Sequence, residues 1–484
     1  MKKVCWPYFD PDFDNLPERI NGPTCRVCID NESMEDCTLV KVDSINKQGL
    51  LLEVVQVLTD LNLTICKSYI SSDAGWFMDV FHVKDEQGRK LRDQKVINRI
   101  QQAIGTTREI PSPPKAKAYI NDLFEACHPS GHTAIEMSGT DRPGLFSEIS
   151  AALADLHCNV VEAHAWSHNS RLACVAYVSD LSTDAPINDP QRLASIQDHL
   201  ATVLRATTAP ASLSPGFGGC REVIKTGGFQ GGEGITTCVE RRLHQLMLSG
   251  RDFDYNGPPA SSTSPRTPGS GQDGEEEWRD TVVSIENCTQ KGYSIVSIES
   301  RDRPRLMFDA VCTLTDMQYV IFHASIYSRD GYAFQEYFIR HNDGYALCTD
   351  SEKERVIKCL EAAIERRVCE GVKLKLYAEN RTGLLCDITR FLRENGLVVV
   401  RADIETQGEK AMNAFYVRDI SGNEVDMEFV KSIKKEIGTK IIELEVKNDT
   451  RSRPPVSRER PHFSLGHRLK SHIGRFSHNF IAIK

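Results

Sequence analysis

The chain has 484 residues, 40% of them apolar and 26% charged, with a formal net charge of −8 at pH 7. That length exceeds what one hydrophobic core supports and suggests about three to five domains. Its apolar runs fall short of the roughly 18 to 20 residues that span a bilayer, and the acidic balance disfavours general affinity for nucleic acid phosphates.

The opening, "MKKVCWPYFDPDFDNLPERING", places aromatic, proline and acidic residues where a secretory signal would carry a continuous apolar segment. The protein is therefore expected to be soluble and intracellular, in cytosol or nucleus. Its 16 cysteines lie largely in apolar stretches such as "TICKSYI" and "LACVAYV", and read as reduced core residues. Cys25 and Cys28, in "CRVC", have metal-ligand spacing, but a zinc site needs a second pair on a compact scaffold, so no metal is assigned.

After an extension over 1–35, a first unit is expected at 36–110. It begins with the alternating "LVKV", whose period of two is that of a half-buried strand. A polar turn follows, and Leu51, Val55 and Leu58 then recur at helical spacing. "LTICKSYI" and "WFMDVFHV", separated by a polar break, read as a hairpin, "QKVINRIQQAIG" as a second helix and "TREIPS" as a closing strand.

The same frame recurs three times, around "GTDRPGLF" in 132–205, "RDRPRLMF" in 292–368 and "AENRTGLL" in 371–447. Each copy reads βαββαβ, a ferredoxin-like arrangement. The segment 206–291 is a Pro, Gly and Ser rich linker interrupted at 236–248 by an amphipathic helix carrying Val239, Leu243 and Leu246. In the basic tail, 448–484, Leu469, Ile473, Phe476 and Phe480 share a helical face with Arg468, Lys470 and Arg475 beside it. Docking on its own domain, partner recognition and membrane contact all remain open for that face.

Catalytic readings find little support. "GGFQGGEG" at 227–234 follows no strand and lacks the Gly-Lys-Ser/Thr of a phosphate loop. His164 and His168 lie on an expected strand, where four residues span about 13 Å, too far to chelate one ion unaided.

A unit of about 70 residues with this order, and with these strand-end turns, resembles the ACT domain, a regulatory module of amino-acid metabolism. Four copies, with "CVERRLHQLML" between the second and third and "RFSHNFIAIK" at the end, resemble the plant ACT-domain-repeat (ACR) proteins. The resemblance implies an α+β fold of four tandem ACT units paired side by side into continuous antiparallel sheets. It also implies amino-acid binding without catalysis, where the end of a unit's first strand and the start of its first helix meet a neighbouring unit.

Carried over by position, the candidates are Asn46, Gly49 and Leu50 in the first unit, Asp141, Gly144 and Leu145 in the second, and Asn380, Gly383 and Leu384 in the fourth. Uncapped helix N–H groups there would receive a carboxylate. Asp141 and Asp302 equally read as helix N-caps. Arg305, standing where the other turns carry glycine, is expected to block its pocket, leaving the third unit structural and paired with the fourth.

The reading is thus a non-catalytic amino-acid sensor without cofactor, with an interaction scaffold bearing vestigial pockets as the alternative. Expected partners are free amino acids, a protein not yet identified and a possible second copy through ACT pairing, with no direct nucleic acid partner.

Overall fold

The computed structural model describes residues 25–45, 49–73, 76–105, 132–205, 223–226, 238–254, 281–288, 291–367, 372–421, 425 and 441–448. Asn46, "TREIPS", the glycine-rich run 227–234 and the tail lie outside them.

Unit 1 comprises β1 (Cys25–Asp30), β2 (Thr38–Ile45), α1 (Leu50–Asp60), β3 (Thr64–Asp73), β4 (Trp76–Lys84) and α2 (Gln94–Gly105). Unit 2 comprises β5 (Thr133–Thr140), α3 (Leu145–Asp155), β6 (Cys158–His168), β7 (Arg171–Asp180), α4 (Pro190–Arg205) and β8 (Val223–Thr226). The linker helix α5 (Val239–Ser249) follows. Unit 3 has β9 (Thr281–Cys288), β10 (Tyr293–Arg301), α6 (Leu306–Asp316), β11 (Tyr319–Arg329), β12 (Tyr332–His341) and α7 (Asp350–Glu365). Unit 4 has β13 (Val372–Glu379), α8 (Leu384–Glu394), β14 (Leu397–Gln407), β15 (Lys410–Asp419) and β16 (Ile441–Asn448).

The strands form two eight-stranded antiparallel sheets, β1-β2-β4-β3-β11-β12-β10-β9 and β16-β13-β15-β14-β6-β7-β5-β8. Unit 1 therefore pairs with unit 3, and unit 2 with unit 4, which corrects the expectation that unit 3 joins unit 4 in a tandem pair. Long connections make this inexpensive, because loop closure costs only about 0.6 kcal/mol more for each doubling of length. The pairing is made within one chain.

A second correction concerns the repeat itself. Units 1 and 3 take their outer strand from the residues ahead of the unit, β1 and β9, whereas units 2 and 4 take theirs from behind, β8 and β16. The edge beside β2, expected for "TREIPS", is filled by β1, which pairs Cys25 with Ser44 through Asp30 with Leu39. Cys25 and Cys28 fall an odd number of residues apart on β1 and so face opposite sides, which is not a chelating arrangement.

Each seam has the same origin. The strand after the first helix carries a register shift at Ile65/Lys67, Val160/Glu162, Ile321/His323 and Val399/Arg401. Such a bulge turns the following residues outward and increases the local twist. Immediately after it come the pairing residues, Lys67 to Ser71 against His323 to Tyr327, and Glu162 to Trp166 against Arg401 to Glu405. Four repeats thus make one edge in four copies, and like edges pair.

On one face of each sheet the helices bury an apolar stripe. In α1 it comprises Leu50, Leu51, Leu52, Val54, Val55 and Leu58, and each such side chain contributes about 1.5–3 kcal/mol on full burial. Residues of units 1 and 3 share one core, and those of units 2 and 4 another.

The linker helix fills a different place. Val239, Leu243, Leu246 and Met247 pack against Ala134, Trp166, Ala173, Val175 and Tyr177, on the face of unit 2 opposite its own helices. The other side of α5 meets unit 3 through charge. Asp309, fully buried, accepts hydrogen bonds from Arg367 Nε at 2.7 Å and His244 Nε2 at 2.8 Å, with Arg303 Nη2 at 2.8 Å from its other oxygen. Arg366 donates from Nε and Nη2 to Asp252, each at 2.7 Å, and from Nη1 to His244 Nδ1 at 2.9 Å. His168, on unit 2, donates to Asp252 at 2.9 Å. Arg241 pairs with Asp316 and Arg242 with Glu136, so the "ERR" of the linker ties unit 3 to unit 2.

At the seam of units 2 and 4, His164 bonds Asp403 at 2.9 Å and Glu162 at 2.8 Å. Burial alone would lower its pKa, but the bonds to Asp403 and Glu162 outweigh it and raise the ring from 6.5 to about 9. A raised folded-state pKa adds stability that is fully present below pH 6.5 and is lost as pH climbs through 9. The expected outcome for His164→Gln is a loss on the order of 1–3 kcal/mol at pH 6 that shrinks toward pH 9.5, read from urea midpoints. Equal losses at both pH values would contradict a charged His164.

Candidate ligand sites at the seams

All four first helices start alike. The residue at the helix cap sits in the left-handed region, Gly49 at φ 84°, Gly144 at 86°, Arg305 at 67° and Gly383 at 77°, and none of the four helices has a side-chain cap. By contrast, Thr349 caps α7 by accepting from the Glu352 N–H at 3.2 Å. The aspartates are therefore not N-caps, contrary to that reading. Asp141 Oδ1 accepts from the N–H of Arg142 at 2.8 Å and Oδ2 accepts from the Ser167 hydroxyl, and the cap position lies three residues further on. Burial raises the Asp141 carboxyl above its ordinary pKa, against the opposing effect of Ser167 and Arg142.

The consequence is a set of helix starts whose first N–H groups have no side-chain partner, at the positive end of a helix dipole. Two of these starts lie against the partner unit. In unit 2 a cavity of about 10 Å³ lies between Asp141, Gly144 and Ser147 and the residues Thr389, Arg393 and Leu397 of unit 4. In unit 3 one of about 20 Å³ lies between Asp302, Arg303, Arg305 and Gln335 and the residues Thr59 and Leu63 of unit 1. These volumes suit a water molecule and are too small for a free amino acid without opening.

Of the residues expected from the sequence, Gly49, Gly144 and Gly383 occupy the caps, and Leu50, Leu145 and Leu384 are buried, so only their backbone is available to a ligand. Asn380 donates its backbone N–H to Glu409 O at 2.7 Å. Arg305 lines the cavity of its own turn, and its guanidinium donates to Asn62 Oδ1 at 3.1 Å and pairs with Glu240 of α5.

Sequence reading missed the partner's contribution. Arg393 reaches over Gly144 so closely that a Cβ there would lie 2.7 Å from its Cδ. Thr59 occupies the same position of α1 that Arg393 occupies in α8. An arginine thus stands over the cap position in both seams, Arg393 from the partner unit over Gly144 in one and Arg305 of the turn itself in the other. Aligning the helices of the units could have flagged the exchange, had the pairing been known.

These contacts distinguish two glycines. A methyl group added at Gly383 would meet nothing within 4 Å among the described residues, so Gly383→Ala carries only the left-handed strain of about 1 kcal/mol. Gly144→Ala adds displacement of Arg393, and its loss in urea unfolding is expected to be about 1 kcal/mol larger. Equal losses would mean that Arg393 does not stand over the turn.

Comparison with known proteins agrees with this architecture. The ACR family N-terminal ACT domain matches residues 33–110 and 368–443, and a general ACT domain matches 133–188. The ACT domain-containing protein ACR2 of Arabidopsis thaliana is 63% identical over 505 aligned positions, covering 100% of both chains. ACT domain-containing protein ACR3 of the same plant is 49% identical over 457, covering 94% of this chain and 93% of its own. The chain belongs to the ACR family of ACT-domain proteins.

Proposed function

We propose that the chain is a non-catalytic regulatory protein that binds free amino acids where paired units meet, and passes their occupancy to a protein partner. The observation that carries this reading is the repeated helix start without a side-chain cap, facing a partner unit across a seam. A carboxylate would take N–H groups of the first helical turn, and an acidic or amide side chain such as Asp141 or Asn380 would take the ammonium. A ligand changes the protein only as far as it binds two seam geometries differently, so opening of the narrow seam is the step it would stabilise.

The small cavities favour one alternative, an interaction scaffold whose seams stay closed. Thermal unfolding against each of the twenty free amino acids at millimolar concentration separates the two. A ligand at 100 times its Kd adds about 2.7 kcal/mol. Stabilisation by one or a few amino acids is expected. No shift from any, with the fold intact, would leave the scaffold.

A further inference from the structure

The repeat carries one ion pair that unit 3 has put to another use. In unit 2, Arg142 of the turn pairs with Glu148 of α3 at 2.5 Å; in unit 4, Arg381 pairs with Asp387 of α8; in unit 3, Arg303 pairs with Asp309 of α6 at 2.8 Å. The acid side chains of units 2 and 4 are 42% and 40% exposed, where an ion pair is a local contact of little consequence. Asp309 is fully buried and is shared with Arg367 and His244. The start of the first helix in unit 3 is thereby joined to α5 and to the residues that follow α7.

From Asp309 the bonds run on to the turn of unit 2. His244 donates from Nε2 to Asp309 and accepts at Nδ1 from Arg366, so its two partners fix one tautomer. Arg366 holds Asp252, whose carboxylate also accepts from His168 and whose carbonyl accepts from Asn169 Nδ2 at 3.0 Å. His168 ends β6, and Asn169 lies in the turn between β6 and β7. The same hairpin holds the unit 2 turn: the Asp141 N–H donates to Ser170 O at 2.9 Å, and the Ser167 hydroxyl donates to Asp141 Oδ2. Asp302 and Asn380 donate their N–H groups to their own hairpins in the same way, so the addition in unit 2 is the anchorage of the hairpin on Asp252. A second branch leaves α5 at Glu240, which pairs with both Arg367 and Arg305.

We propose that α5 couples the two seams, so that opening of the Asp141 turn, between units 2 and 4, and opening of the Arg303 turn, between units 1 and 3, occur as one event. The reason is energetic. Asp252, Asp309, Arg366 and Arg367 are all buried, and a buried charge parted from its partner costs far more than the same break at the surface. The links therefore do not open one at a time; all are made, or the charges reach water together. Trp166 and the apolar side of α5 hold the helix on the strands that carry the hairpin, so hairpin and helix move as one body. This coupling belongs to the chain without any ligand and goes beyond the amino-acid reading above. A molecule acting on either seam would bias the other to the same degree.

The test is hydrogen exchange of the full chain with no ligand added. Ser167→Ala removes the hydroxyl bond to Asp141 and lies outside both α5 and unit 3. Loss of one such bond raises an opening constant about fivefold. Exchange is expected to quicken by that factor at residues 141–148 and, to the same extent, at 302–312, with α2 unchanged at 94–105. In an Asp252→Asn background the same Ser167→Ala should quicken 141–148 alone. Arg381→Ala, which removes the corresponding turn pair of unit 4, should leave 302–312 unchanged. Should Asp252→Asn fail to fold, His168→Leu with Asn169→Gly cuts the route at the hairpin and leaves Asp252 paired with Arg366. Quickening confined to 141–148 when Ser167→Ala is the only change, or no change at either segment, would overturn the proposal. So would equal quickening at 94–105, which reports general loosening, or an effect at 302–312 that persists once the route is cut. Because no amino acid is present, a failure of the chain to bind one leaves this result standing.

Discussion

Replacing Asp309 by Asn is expected to cost about 3–5 kcal/mol, among the largest effects of any single substitution in this protein. The substitution is nearly isosteric, so packing is not the cause. Its carboxylate faces Arg303, Arg367 and His244 inside the protein, where it is fully buried. Burial acts to raise its pKa, but Arg367, Arg303 and His244 outweigh it and hold the acid well below the ordinary carboxylate range. Removing the charge leaves two buried guanidinium groups with Glu240 as the remaining anion bonded to Arg367. An Asn amide would in addition present a donor toward the donors already there. Urea midpoints measure the loss; a cost below about 1 kcal/mol would mean that the network contributes little beyond a hydrophobic replacement. The same cluster sets an acid limit. Burial lowers His244 from 6.5 to about 4 despite Asp309, so the unfolded chain takes up its proton first and stability falls as pH drops from 6.5 toward 4.

Trp166→Ala is expected to cost a similar amount, about 3–5 kcal/mol, by an independent route. The indole is 1% exposed, stands edge-on to His244 with ring centres 4.9 Å apart, and has the Arg367 guanidinium 4.8 Å above its ring. It forms the seat on which Leu243 and Met247 of α5 rest. Its loss would leave a cavity where sheet, linker helix and buried ion pairs meet. Hydrogen exchange should then show α5 residues 239–249 opening well before the two cores. If exchange in α5 is unchanged, the helix is held by its ion pairs without the aromatic seat.

Much of this was legible in the sequence. The four repeats, the turn before each first helix and the amphipathic linker helix all follow from local periodicity, which reports which face a residue presents. The pairing of units was not legible, because it depends on bulges at Cys66, Val161, Phe322 and Val400 that leave no compositional mark, and on edges that become neighbours only after folding. The outer strand of unit 1 was misplaced for a related reason. "CRVCID" and "TREIPS" are both short and strand-like, and nothing local says which one lies beside β2. The capping role given to Asp141 failed because the left-handed residue at Gly144 moves the helix start beyond the aspartate's reach. The partners that hold Arg305, the Glu240 carboxylate and the Asn62 amide, were not legible because they are distant in sequence.

The central claim is that ligand binding occurs at seams between alternate units, and hydrogen exchange with and without a stabilising amino acid tests it most directly. The account predicts added protection in two segments of different units at once, residues 141–148 with 389–399, or 302–309 with 59–65. Protection confined to a single unit, or appearing only away from both seams, would contradict it.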